Sequence, residues 1–332
     1  MKKRYTILFT SLAVLTILLF VADLIFGSVH IPLRDILDVF SGNKSNIITS
    51  EILINLRVPK AITAILTGAA LSVAGLMMQT LFRNPLADPY ILGVSSGGSL
   101  GVALAIMAGS FLPFTMVSDG WMLILASTIG ATLVLLMVIA VSFKVQNAVS
   151  LLIVGIMFGT IAGSIVNVLQ NFSNPDAIKL FVMWTFGSLS AVTWEYMHVL
   201  LPVIVLGLTM ALFLQKSLDG LLLGENYARS LGISIQRTRF LIIITTGLLA
   251  GGITAFVGPI AFVGIAIPHI ARGLFHTANH KILLPACILC GASLLLLCDL
   301  VSQIPAHTLP INTVSSLFGA PIIIWIIIKG RR

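Results

Sequence analysis

Few side chains in this chain are spaced for chemistry. His276 and His280 stand four residues apart, a separation that puts two imidazoles on one helix face. No carboxylate lies nearby to complete a metal set, and no H-E-x-x-H occurs, so the pair reads as a polar turn. Cys287 and Cys290 have C-x-x-C spacing inside an apolar run, with Cys298 as the one remaining cysteine. A structural zinc takes four ligands, so these read as small apolar residues of a helix. Gly93-Val94-Ser95-Ser96-Gly97 matches G-x-S-x-G, and His269 offers a base, which is the pattern of an intramembrane serine protease. The motif, however, opens a Gly/Ser-rich segment rather than ending a strand. No G-x-x-x-x-G-K-[ST] is present, so the chain has no phosphate loop of its own. Asp23 and Asp299 are the two acids inside apolar runs, each expected to reach the interface from the outer end of its span. That is a thin set for the alternative of an ion-coupled secondary transporter. No catalytic residue, metal or cofactor is expected.

The elements that must carry these residues follow from composition. Hydrophobic residues make up 58% of the sequence and charged residues 9%, with mean hydropathy +1.09. A soluble domain carries roughly 25% charged residues, so most of this surface faces lipid. Ten apolar runs, bounded by charges, Gly or Pro, predict spans at about residues 5–27, 61–82, 90–109, 121–143, 149–170, 197–214, 240–257, 259–275, 282–304 and 311–328. The run after Met1-Lys2-Lys3-Arg4 is too long for a signal h-region of about 7–15 residues and is read as a retained first span. An unbroken helix over 240–275 would exceed the ~30 Å hydrocarbon core, so a break is placed at Gly258-Pro259. The expected fold is an all-α integral membrane protein, with residues 1–332 as one domain.

Charge orients the bundle. With ten spans, fourteen of the 19 Lys and Arg residues fall on the side of the termini and five on the other. Both termini are therefore expected in the cytoplasm. The net charge of +8 is spread over short connections rather than gathered in a patch, which argues for lipid and against nucleic acid. Residues 28–60 form a long external connection in which Leu33 to Phe40 is amphipathic. Residues 171–196 form another, where Pro175 and Asp176 are expected to start a short helix. Glycines recur every four residues at Gly93, Gly97, Gly101 and at Gly155, Gly159, Gly163, with Gly68, Ser72 and Gly75 similar; these predict close helix packing.

The inner connection, about 215–239, is the most polar stretch. Glu225, Ala228 and Leu231 are three apart, predicting one face of a short helix bracketed by Gly224 and Gly232. Such a helix suits docking into a cleft on a soluble partner.

At these residues the chain resembles the permeases of iron–siderophore, haem and vitamin B12 importers, the type II ATP-binding-cassette importers. Further segments carry the resemblance: Arg57-Val58-Pro59-Lys60; Phe82-Arg83-Asn84-Pro85 through Gly97; Gly258-Pro259 through Gly264 with Pro268-His269; His280-Lys281 with Leu284-Pro285; and Leu309-Pro310 through Gly319-Ala320-Pro321. The resemblance implies the type II importer permease fold of ten spans, a location in the cytoplasmic (inner) membrane, and work as a pair with a second permease subunit, a homodimer or a close paralogue. It implies two ATPase subunits on the cytoplasmic side receiving Gly224, Glu225, Ala228, Leu231 and Gly232, so that hydrolysis belongs to a partner and not to this chain. An extracytoplasmic solute-binding protein would dock on Arg57 and Lys60, and Ala148, Val149 and Ser150 would lie at a cytoplasmic gate. The cargo implied is a metal chelate, iron–siderophore first, with haem or cobalamin open. Two departures weigh against cobalamin: Lys60 stands where the family often has Arg, and Asp299 is followed by Leu300-Val301-Ser302-Gln303 with no positive charge.

Overall fold

The computed structural model describes residues 2–27, 29, 31–41, 47–107, 120–145, 148–304 and 308–329, and among them it is helical with no strand. Ten helices occupy the ten expected spans: α1 (Lys2–Ile25), α4 (Val58–Phe82), α5 (Val94–Met107), α6 (Gly120–Ser142), α7 (Ala148–Phe172), α9 (Trp194–Phe213), α12 (Ile235–Val257), α13 (Val263–Phe275), α14 (His280–Ser302) and α15 (Ile311–Lys329). Seven are long and apolar enough to cross a membrane, and α5, α13 and α15 are shorter apolar helices. Between them lie α2 (Leu33–Phe40), α3 (Ile47–Glu51), α8 (Pro175–Thr185), α10 (Gln215–Leu222) and α11 (Glu225–Ser230). The amphipathic stretch at Leu33 to Phe40 is thus a helix over those same residues. The helix expected from Pro175 is present too, with Asn174 accepting the Ala177 N–H at 2.8 Å as its N-cap.

One boundary differs from expectation. The second span begins near Ile47 rather than 61, because α3 runs through a π-helical segment, Ile52–Arg57, directly into α4 as one 36-residue helix. The π turns widen the helix just before Pro59, which cannot donate to the ladder.

The α4 helix is the axis of the molecule. In the most apolar stretch of that 36-residue helix, 89% of residues are buried. Its sequence is apolar all round, as an enclosed helix requires, and rich in small residues from Ala61 to Gly75. A Cβ added at Gly68 would lie 2.1 Å from Gly291 O in α14, and one at Gly75 would lie 1.9 Å from Gly264 O in α13. Backbones meet directly at both crossings, which only hydrogen side chains permit. The Gly93/Gly97/Gly101 series does the same work against Gly155 of α7 and Gly130 and Ala126 of α6. The G-x-S-x-G match is therefore packing, and His269 donates from Nε2 to Pro85 O at 2.9 Å.

The break expected at Gly258-Pro259 is present. Gly258 takes φ 88°, and α13 begins at Val263 after an irregular turn. Irregular backbone inside a bilayer must find its hydrogen bonds within the protein. Here the Tyr90 hydroxyl accepts from Ile260 N at 3.3 Å and lies 3.3 Å from Thr254 Oγ1, and Asn312 Oδ1 accepts from Ala261 N at 3.1 Å.

Contacts between distant residues sort the two ends of the bundle. Arg4 meets His276 at 3.1 Å, so the start of α1 lies at the end that carries α10 and α11. At the opposite end Trp194 Nε1 donates to Ile54 O at 2.8 Å, and Asp23 lies beside Gln303.

Gly75→Val forces a branched side chain into the α4–α13 crossing. It should lower the stability of detergent-solubilised protein by about 3 kcal/mol or more, read from thermal unfolding. Gly163→Ala, where an added Cβ meets nothing within 4 Å, should stay within about 0.5 kcal/mol of wild type in the same assay.

Candidate functional site

The polar connection between α9 and α12 folds into a small platform. The α10 helix leaves α9 through Leu214 and ends at Leu223, where Gly224 at φ 115° reverses the chain into α11. That backbone angle lies in the region glycine tolerates. The α11 helix closes with paired bonds, Ile233 N to Ala228 O at 3.0 Å and Gly232 N to Arg229 O at 2.9 Å, around Gly232 at φ 79°. This is the Schellman arrangement, and both bracketing glycines are placed as their spacing predicts.

The expected shared face of Glu225, Ala228 and Leu231 is not formed. Ala228 is fully buried beside Gly220 of α10, whose missing side chain leaves room for Ile233 just past α11. Leu231, the C-cap, points outward and is exposed. Glu225 turns sideways: its Oε1 accepts from Arg239 Nη2 at 3.1 Å. A helix of six residues spans under two turns, so its three positions diverge once one of them is committed to the core.

Arg239 is buried at 5% exposure, and its Nη1 also donates to Val145 O at 3.0 Å, just past the end of α6. One guanidinium therefore ties α11 to α12 and to the α6 terminus, where a cation complements the outgoing carbonyls. Ser142, Phe143, Val145, Glu225, Arg229 and Arg239 line a cavity of about 140 Å³ at this junction. Around it Leu222, Leu223, Tyr227, Leu231 and Phe143 are exposed, an apolar rim on an otherwise polar connection. Arg239, Val145 and the rim apart from Leu231 escaped the sequence reading. Glu225 and Arg239 are fourteen residues apart, a separation no periodicity flags.

The gate residues expected next to this junction open α7. Val149 is exposed and Ser150 half-buried, while the side chain of Ala148 lies outside the described residues.

At the opposite end the two basic residues are turned inward. Arg57 is 7% exposed; its Nη1 donates to Leu24 O at 2.6 Å and Ile25 O at 3.0 Å, and its Nη2 to Val29 O. It caps the C-terminus of α1, where unpaired carbonyls attract a cation. Lys60 Nζ lies 2.7 Å from Asp299 Oδ2. Gln303 Nε2 donates to that same oxygen at 2.9 Å and to Asp23 Oδ1 at 2.9 Å. Asp23 and Asp299 do not reach the interface as expected. They are 1% and 4% exposed, and they are held in a cluster joining α1, α4 and α14. Buried carboxylates need such partners, so they claim Lys60 that a surface role would leave free.

The chain is similar over most of its length to known proteins. The model of the FecCD transport family matches residues 15–329. An uncharacterized ABC transporter permease of Bacillus subtilis, YvrB, is 36% identical over 99% of this chain and 94% of its own length. The vitamin B12 import system permease BtuC of Photorhabdus laumondii is 38% identical over 83% of this chain and 81% of its own. Among solved structures, an inward-facing metal-chelate type ABC transporter superposes with TM-score 0.86 at 29% identity, covering 97% of this chain and 99% of that one. PsaBC of Streptococcus pneumoniae, at TM-score 0.51 and 15% identity, shares the fold alone.

Removing one partner of the buried cluster should cost more than removing the pair. Lys60→Met leaves Asp299 without its cation and should destabilise by about 3–5 kcal/mol. The double variant Lys60→Met with Asp299→Leu should recover most of that loss, as thermal unfolding of both proteins will show.

Proposed function

This chain belongs to the FecCD transport family and is an ABC importer permease, and from that premise we propose how it is powered and what it carries. The α10–α11 platform is the docking point for a partner ATPase. One observation carries this reading: an exposed apolar rim surrounds a short helix whose base is clasped by Arg239 to α12 and to the end of α6. Apolar side chains on a polar connection outside the lipid mark a protein contact, and the clasp gives a push on α11 a rigid path into two helices. Two ATPases serve a pair of permease subunits, each contributing one platform. Their closure on ATP moves the pair between outward- and inward-open states, which requires the ATPases to interact differently with the two. Residues 148–150, which follow Val145 closely in the sequence, lie at the exit.

The end bearing α10, α11 and both termini faces the cytoplasm, in keeping with fourteen of the 19 basic residues. A solute-binding protein docks at the opposite end, on a surface that Arg57 and Lys60 shape from beneath. The cargo is a metal chelate, iron–siderophore first. Cobalamin is the second reading, favoured by the likeness to BtuC, whose printed role is vitamin B12 import.

Leu223→Asp combined with Leu231→Asp should weaken ATPase co-purification at least about tenfold while leaving membrane insertion unchanged. Glu225→Arg places a second cation against Arg239 and should abolish ATP-driven uptake into vesicles, assayed with ferric siderophore and cobalamin in parallel. Accumulation of either compound by the permease alone, without ATPase, would overturn the reading.

A further inference from the structure

The His280-Lys281 pair stands out in the sequence, yet nothing in the platform described above uses it. His280 is the first residue of α14 and is 1% exposed. Asp219, the neighbour of Gly220 in α10, reaches it twice. Asp219 Oδ1 accepts from His280 N at 2.9 Å and lies 2.7 Å from His280 Nδ1. On the far edge of the ring, Nε2 lies 2.9 Å from Thr80 Oγ1 in the last turn of α4. The Asp219 carboxylate accepts from Nδ1–H, so Nε2 of the neutral ring accepts from the Thr80 hydroxyl, which also lies 2.9 Å from Leu76 O. A continuous run of hydrogen bonds thus leads from α10 through one imidazole to the last turn of α4, the most enclosed helix of the bundle.

A cap for α14 alone would not explain this construction. Asn279 already caps that helix, accepting from Lys281 N at 2.8 Å. The same end of α4 is fixed a second time, since Arg272 Nη1 donates to Gln79 Oε1 at 2.8 Å and Gln79 Nε2 donates to Gly264 O and Ile265 O at 3.3 Å. The α4 terminus is therefore bonded to α13 and α14, while α10 enters that frame through Asp219. The imidazole has little room to yield, because both of its edges are engaged and the ring is buried.

We infer that Asp219, His280 and Thr80 form a positioning relay that locks α10 to α4. Displacement imposed on the platform is then carried into the core helix rather than lost in the connections that flank α10. The Arg239 clasp leads the same displacement to α12 and α6, so the platform has two independent outlets. This inference rests on the platform being where an ATPase docks.

The test uses the assembled permease–ATPase complex, with spin labels at Lys216→Cys on α10 and Leu86→Cys beyond α4. The three native cysteines are buried and can stay in place. The inter-label distance is measured without nucleotide and with vanadate-trapped nucleotide. In the wild-type background it should hold between the two states. Asp219→Asn and the near-isosteric Thr80→Val should each let it shift or broaden by about 2 Å or more, and Thr80→Ser, which keeps the oxygen, should behave as wild type. Should Asp219→Asn fail to fold, Thr80→Val decides the matter alone. Variants that hold the distance as the wild type does, or a wild-type distance that itself changes, would overturn the relay while leaving ATPase docking intact. Failure of the wild-type chain to retain an ATPase would instead overturn the docking reading, and the relay with it.

Discussion

A backbone polar group inside hydrocarbon finds a hydrogen-bond partner within its own protein or goes without, at several kcal/mol for each unpaired group. That constraint makes the chain helical wherever it crosses. It also decides where the chain is allowed not to be helical. The irregular segments around Pro89 and Pro259 meet at the Tyr90 hydroxyl, and Asn312 takes the Ala261 N–H. Each break is placed where another break, or a polar side chain of another helix, can serve it. The short helices α5 and α13 follow from this, because each begins at such a point rather than at a membrane surface.

Enclosing α4 is the second consequence. With no hydrophobic force between helices in lipid, association depends on close contact. Gly68 against Gly291 and Gly75 against Gly264 bring three backbones together with no side chain between them. Polar residues at the ends of this interior are bonded to one another. At one end Asp23, Lys60, Asp299 and Gln303 join α1, α4 and α14. At the other Thr80, Gln79, His280 and Arg272 join α4, α13 and α14. The central helix is thus held at both ends by polar clusters and along its length by glycines.

The platform of α10 and α11 differs in kind. It buries Leu218, Leu221 and Ala228 in the apolar core and is tied in addition by Arg239 and Asp219, each reaching a different set of helices. Apolar burial together with two polar ties makes the platform stiff, while its outer rim stays exposed. A loosely packed connection would absorb a force applied there. The pairing of a stiff core with a firmly seated platform is the physical basis for the proposed drive from one end.

The amino-acid sequence alone determined the membrane setting, the ten spans, the break at Gly258-Pro259, the amphipathic helix at Leu33–Phe40 and the short helix from Pro175. These depend on local composition, on proline and glycine, and on periodicity, all of which act within a few residues. The positive-φ turns at Gly224 and Gly232 were legible for the same reason. Tertiary structure decided which charges are free. Lys60 and Arg57 read as surface cations until α1 and α14 supply buried carbonyls and carboxylates that claim them. Ala228 read as a contact residue until the fold buried it in the core. The pairings made by Arg239, Asp219 and His280 had no signature, because the partners lie 14 to 200 residues away along the chain. A side chain's type is written in the sequence; whether its charge meets solvent or a partner depends on which helices the fold sets beside it.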